Sequence, residues 1–273
     1  MFARVQLPDL LARPIIELSG LDLALAGGLV LLAVGISRWQ GLGLERAFVV
    51  GAVRMVVQLI LVGYALVYVF ALNRWYLVLA ALLLMLAVAT WTAVDRQEGP
   101  RRALLGITGA ALLLGSGLTL LYVGAVVVRP EPWYNPRYLI PLFGMIVANA
   151  MNAAALAGER LAQEMEMRRA EIEAYLALGA EVGEASQAAV RAALRASLIP
   201  TINSLMVVGI VSLPGMMTGQ ILAGASPVLA VRYQILVMFM LAASVALTAG
   251  CMTLWYRGTF FTPALQLRDR AGG

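Results

Sequence analysis

The chain has 273 residues, 62% of them hydrophobic and only 13% charged, with a net charge of +5. Soluble domains carry about 25% charged residues, so this composition excludes an ordinary soluble fold and indicates an integral membrane protein. All twenty basic residues are arginine, histidine is absent and Cys251 is the single cysteine. These absences remove a Walker A lysine, an HExxH zinc site, His-ligated haem, an intrachain disulfide and CxxC chemistry.

Carriers, channels and scaffolds are the classes left. The basic balance reads as loops facing the anionic lipid of a bilayer, and no basic patch interleaved with aromatics points to nucleic acid. Residues 1–20 hold Arg4, Asp9, Arg13 and Glu17 around LPDLLARPIIEL, too polar for a signal peptide and without an A-x-A site. They read as an interfacial lead-in. A short first span is expected over Leu21–Ser37 and a second over Ala47–Leu72. Within the second, Arg54 and Gln58 share one helical face, four residues apart. A charge inside a span marks a functional site by default, whereas an arginine near a span end can snorkel to the headgroups; both readings stand.

The third span is expected over Trp75–Val94, followed by the polar turn DRQEGPRR. The fourth lies within Ala103–Val128, where Gly106, Gly109, Gly115 and Gly117 suit close helix contacts. RPEPWYNPR is a proline-stiffened loop ahead of a fifth span over Tyr138–Ala157. On that span Met145, Asn149 and Asn152 fall within about 60° of one another, and asparagines facing lipid are costly, so this face should look into the protein.

The stretch Glu159–Pro200 is the one long charged region, with seven of the fifteen acids and five of the arginines. Leu161, Met165, Ile172 and Leu176 mark an amphipathic helix, with Glu164 and Arg168 supporting its wet side. Gly179 should end that helix, and a second, Ala-rich one should start near Glu184. This helix–Gly–helix elbow (159–196) sits between spans five and six.

From Ala196 to Val231 the chain has no charge, and 36 residues as one helix would run about 54 Å, too far for a single crossing. The break is expected at SLPGMMTG (212–219), with Pro214 and Gly215 as breakers after a sixth span over Ser197–Leu213. A re-entrant piece should then turn at Ser226–Pro227. Met216 and Met217 are open to two readings, soft metal ligands or flexible packing. A seventh span covers Tyr233–Tyr256, and a short tail carries Arg268, Asp269 and Arg270.

Seven crossings place the termini on opposite sides. An elbow in the cytoplasm puts thirteen arginines inside, against Arg4, Arg13, Arg74, Arg129, Arg137 and Arg232 outside. The positive-inside rule therefore sets the N-terminus outside and the C-terminus in the cytoplasm. The expectation is an all-α, multi-pass protein of the plasma (inner) membrane with about seven transmembrane helices in one transmembrane domain over 1–273.

EAYLALGAEVGEAS (173–186) resembles the coupling-loop signature of ABC transporter permeases, E-A-A-x-x-x-G before a helix returning to the membrane. Glu173, Ala174 and Gly179 keep the spacing; Tyr175 replaces the second alanine, and Pro200 lies farther from the glycine than in the common importer motif. PLFGMIVANAMN, ASLIPT, VGIVSLPGMMTGQILAG and YQILVMFML together resemble the bacterial iron-efflux ABC permeases, to which plant aluminium-tolerance permeases are related. The likeness runs from about residue 44 to 256, with VQLILVGYALVYVF similar to the family's second span.

That resemblance implies a homodimeric permease, itself no enzyme, that works with a cytoplasmic ATPase subunit holding the ATP and Mg. The chain would carry no cofactor of its own. The implied cargo is iron or another metal moving outward; a nucleotide sugar or other organic substrate is the alternative. A scaffold docking a soluble partner is the rival from another class. The coupling residues would be Glu173, Ala174, Gly179 and Glu184. The substrate path is expected along Arg54, Gln58, Met145, Asn149, Asn152, Met216 and Met217. No cluster of Asp, Glu, His and Cys offers a tight metal site in the spans.

Overall fold

The structure is a computed structural model that describes residues 19–97 and 99–268. The lead-in before Ser19, Glu98 of the polar turn, and Asp269 and Arg270 of the tail lie outside the described residues. The fold is all-α, and the pairings among the described residues outside helices are isolated bridges, Val208 with Ser212 and Phe261 with Leu267.

Two compact units divide the chain, Met1–Leu72 with Leu222–Gly224, and Asn73–Ile221 with Ala225–Gly273. In the first, α1 (Gly20–Trp39) packs on α2 (Glu45–Leu72). A capping box opens α1: Asp22 N donates to Ser19 Oγ at 3.3 Å, and Ser19 N donates to Asp22 Oδ2 at 2.8 Å. No residue of α2 is buried, as suits a helix in contact with lipid.

The second unit holds α3 (Trp75–Val94), α4 (Arg101–Tyr122) with a π-helical turn over Val123–Val128, and α5 (Pro136–Met167). It continues with α6 (Arg169–Ala177), the short α7 (Val182–Ala185), α8 (Gln187–Val207), α9 (Gly215–Leu222) and α10 (Pro227–Gly258). Among the described residues six helices, α1 to α5 and α10, have the length and apolarity of a span. With Arg191 and Arg195 in its first half, α8 is more polar, but at about 31 Å it has the length of a seventh.

Proline and caps set the starts of the two longest helices. Pro136 and Pro227 occupy first-turn positions where a missing N–H is harmless, after Asn135 and Ser226, whose side chains accept from Arg137 N and Leu229 N. The core lies where α4, α5, α8 and α10 converge near the elbow, around Leu104, Leu161, Met165, Met252 and Tyr256. Small residues permit this approach. A Cβ on Gly115 of α4 would collide with the side chain of Thr248 on α10 and sit 2.9 Å from Thr248 N and 3.0 Å from Ser244 O.

Three expectations are corrected. The fifth span does not stop near Ala157; α5 runs on to Met167, about 48 Å, because Leu161 and Met165 continue its buried stripe beyond the apolar segment. Glu164 is therefore buried, at 4% exposure, and lies away from the wet side. The helix break falls at 208–214, earlier than Pro214–Gly215. Gly209 takes the left-handed turn (φ +85), and Gly215 opens α9 immediately after Pro214, a residue suited to helix starts and unsuited to interiors. Finally, α8 runs through Pro200 and ends at Val207, so the sixth helix begins and ends earlier than Ser197–Leu213.

Candidate functional site

Met145, Asn149 and Asn152 project from one face of α5, whose opposite face buries Phe143, Val147 and Ala150. Across from them stands the second half of α8, and α10 closes the third side. The 208–214 link and the start of α9 cover the end remote from the elbow. These walls border a half-open cavity of about 450 Å³. Six of the residues singled out in the sequence line it: Met145, Asn149, Asn152, Pro214, Gly215 and Met216. Met217, one residue on, does not, because successive helical side chains point about 100° apart. Arg54 and Gln58 belong to the first unit, where both are exposed on α2, and are not among the lining residues.

Sequence reasoning missed Gln234, Met238, Ser197, Thr201 and Ser204, which also line the cavity. Gln234 is the most consequential: it is 6% exposed, and its Oε1 has no hydrogen-bond partner. A buried, unsatisfied amide oxygen costs roughly 1–3 kcal/mol, so its presence wants a reason. Its one visible signal was a glutamine inside an apolar span. Asn149 Nδ2 donates to Met145 O at 2.9 Å, which leaves its Oδ1 for the cavity. Asn152 Oδ1 accepts from Arg96 at 3.4 Å. Ser197 and Ser204 spend their hydroxyl protons on the carbonyls of Leu194 and Pro200, so each keeps an acceptor lone pair.

A second hollow, of about 580 Å³, lies on the elbow side between α5 and α8 and shares Leu156 and Pro200 with the first. Its rim carries Glu159, Arg160, Gln163 and Arg195. Arg160 pairs with Glu164 at 2.7 Å, whereas no ion pair is found for Arg195 among the described residues.

The elbow is built for a fixed shape. Glu164 bridges Arg160 and Arg168 (2.7 and 2.9 Å) where α5 bends into α6. Glu164, then Glu171, hold the Arg168 guanidinium above its ordinary pKa. Past α6, Gly179 takes φ +89, with Gly179 N donating to Leu176 O and Ala180 N to Tyr175 O, the paired bonds of a Schellman turn. Glu173 is half exposed and pairs with Arg169 at 3.0 Å. Ala174, Gly179 and Glu184 are exposed as well, and Leu178 at the tip is 86% exposed. The tail packs Phe260 and Phe261 into the elbow-side core, and Arg169 donates to Arg268 O at 3.3 Å.

The model of the family described as "Uncharacterised protein family (UPF0014)" matches residues 20–261. The chain belongs to the UPF0014 family. A UPF0014 membrane protein of Synechocystis, slr1647, is 43% identical over 93% of this chain and 98% of its own. The probable iron export permease protein FetB of Escherichia coli is 38% identical over 83% of this chain and 86% of its own. The plant protein ALUMINUM SENSITIVE 3 of Arabidopsis thaliana is 36% identical over 88% of this chain and 86% of its own. These matches agree with the resemblance read from the sequence. No solved structure matches this chain. Among the described residues no group of three or more His, Cys, Asp or Glu could hold a metal ion, so UPF0014 membership comes here with a cavity of amides, hydroxyls and thioethers.

Proposed function

We propose that this chain is the membrane-spanning subunit of an ABC transporter that exports a metal, iron in the first instance, using ATP hydrolysed by a separate subunit. The supporting name is that of the Escherichia coli relative, a probable iron export permease. The observation that carries the reading is that one helix, α5, forms both a wall of the cavity and the stem of the elbow. A partner seated on Glu173, Ala174, Gly179, Glu184 and the exposed Leu178 would thus act directly on the cavity. In this arrangement the elbow is cytoplasmic, the N-terminus outside, the C-terminus in the cytoplasm, and two copies of the chain work together in the plasma membrane.

The test is reconstitution with the candidate ATPase in proteoliposomes, reading metal-stimulated ATP hydrolysis and ATP-driven metal flux. Glu173→Arg and Gly179→Pro should leave insertion intact, release the ATPase on co-purification and abolish flux. Retention of the ATPase and full flux in both variants would count against the proposal, and so would a parent protein that shows no ATP-dependent flux of any metal.

A further inference from the structure

We infer that the cavity takes its cargo as a metal complexed by a hydroxyl-bearing organic acid, neutral or negative in net charge, and excludes the bare cation. The inference rests on the cavity being the transport site. Its first support is the lining: among the described residues around it none is charged, and the polar atoms are amides and hydroxyls. A hard divalent ion is normally held by carboxylates, and none lines this cavity. Met145, Met216 and Met238 contribute thioethers, which are soft but neutral and offset no charge.

Size points the same way. An ion with six waters fills roughly 180 Å³ at about 30 Å³ per water, whereas the cavity holds about 450 Å³, the range of an organic ligand. The polar groups then define what such a ligand must offer. Gln234 Oε1, buried and unpartnered, needs a donor, and the free lone pairs of Ser197 and Ser204 accept in the same way. Ligand hydroxyls supply those protons.

The approach to the cavity supplies the independent argument. On the elbow side the rim of the second hollow holds Arg160, already neutralised by Glu164, together with Glu159 and Arg195, for which no ion pair is found among the described residues. Arg96 adds a third guanidinium, bonded to the cavity wall at Asn152 Oδ1. The positive excess of Arg195 and Arg96 over Glu159 on this side of the cavity favours anionic complexes over aqueous metal ions.

The full-length protein in lipid nanodiscs would be titrated with ferric citrate, citrate alone, ferrous chloride, manganous chloride and silver nitrate, with binding read calorimetrically. Ferric citrate should bind saturably, and the three simple salts and citrate alone at least about tenfold more weakly. Arg195→Gln should weaken ferric citrate about tenfold and flatten its salt dependence. Gln234→Leu should weaken it by a similar factor while leaving the thermal midpoint unchanged or raised, since the orphaned oxygen is removed along with its ligand bond. Equal or tighter binding of ferrous, manganous or silver ions overturns the inference, as does citrate alone binding as tightly as ferric citrate. Absence of saturable ferric citrate binding, or indifference of its affinity to both substitutions, also overturns it. Failure of the transport reading looks different: ferric citrate binding would persist and respond to both variants, while ATP drives no flux.

Discussion

The two halves of α8 were made for different tasks. In its first half the helix buries Ala189, Val190 and Ala193 in the elbow-side core; Ser197 is buried beside the cavity, from Pro200 to Val207 nothing is buried, and Pro200, Thr201 and Ser204 turn to the cavity. The boundary is a proline that has no N–H for the carbonyl of Ala196, followed by a serine hydroxyl bonded to the proline's own carbonyl. Alanines let backbones approach and lock; proline and hydroxyls keep a wall open and polar. One helix therefore fastens the elbow to the core at one end and leaves room for a ligand at the other.

The contrast can be broken most severely on the packed side. Gly115→Val, which drives two methyls into Thr248 and the α10 backbone, is expected to cost about 3 kcal/mol, read as a fall in the thermal midpoint in detergent. Ala193→Leu should cost about 2 kcal/mol by overpacking, whereas Ser204→Leu, facing the cavity, should change stability by no more than about 0.5 kcal/mol. Equal losses at the two positions would erase the distinction between the halves. Glu164→Gln removes the charge that ties Arg160 and Arg168 to the α5–α6 bend and is expected to cost about 1.5 kcal/mol, checked by denaturant unfolding. Smallest is Gly179→Ala, about 1 kcal/mol for a left-handed alanine, visible as faster amide exchange over Leu176–Ala180 with the cavity unaffected.

Much of this was legible before any coordinates. Trp75–Val94 is the helix the apolar run announced, bounded by polar residues at both ends. Gly179 turns where its flexibility suggested, and the 3.6-residue period alone put Met145, Asn149 and Asn152 on one face. What stayed hidden depended on contacts distant in sequence. The continuity of α5 past Ala157 follows from burial of Leu161 and Met165 against α10 and the tail, and a hydropathy drop cannot report that. Gln234 is conspicuous only once α5 and α8 stand beside it. Gly209 rather than Gly215 makes the turn, and both were equally permissive on paper.

The unbroken course of α5 has a mechanical consequence. From Asn149 to Met167 is about 27 Å of helix with no proline; Pro141 lies beyond the cavity. That segment is a stiff strut, so tilting it by about 10° at the cavity wall carries its elbow end nearly 5 Å sideways. On the facing wall, α8 lacks one backbone hydrogen bond at Pro200, which lines the cavity itself, and is weaker there. A displacement applied at the elbow is thus delivered whole along one wall and absorbed as bending along the other, which converts a push from below into a change of width.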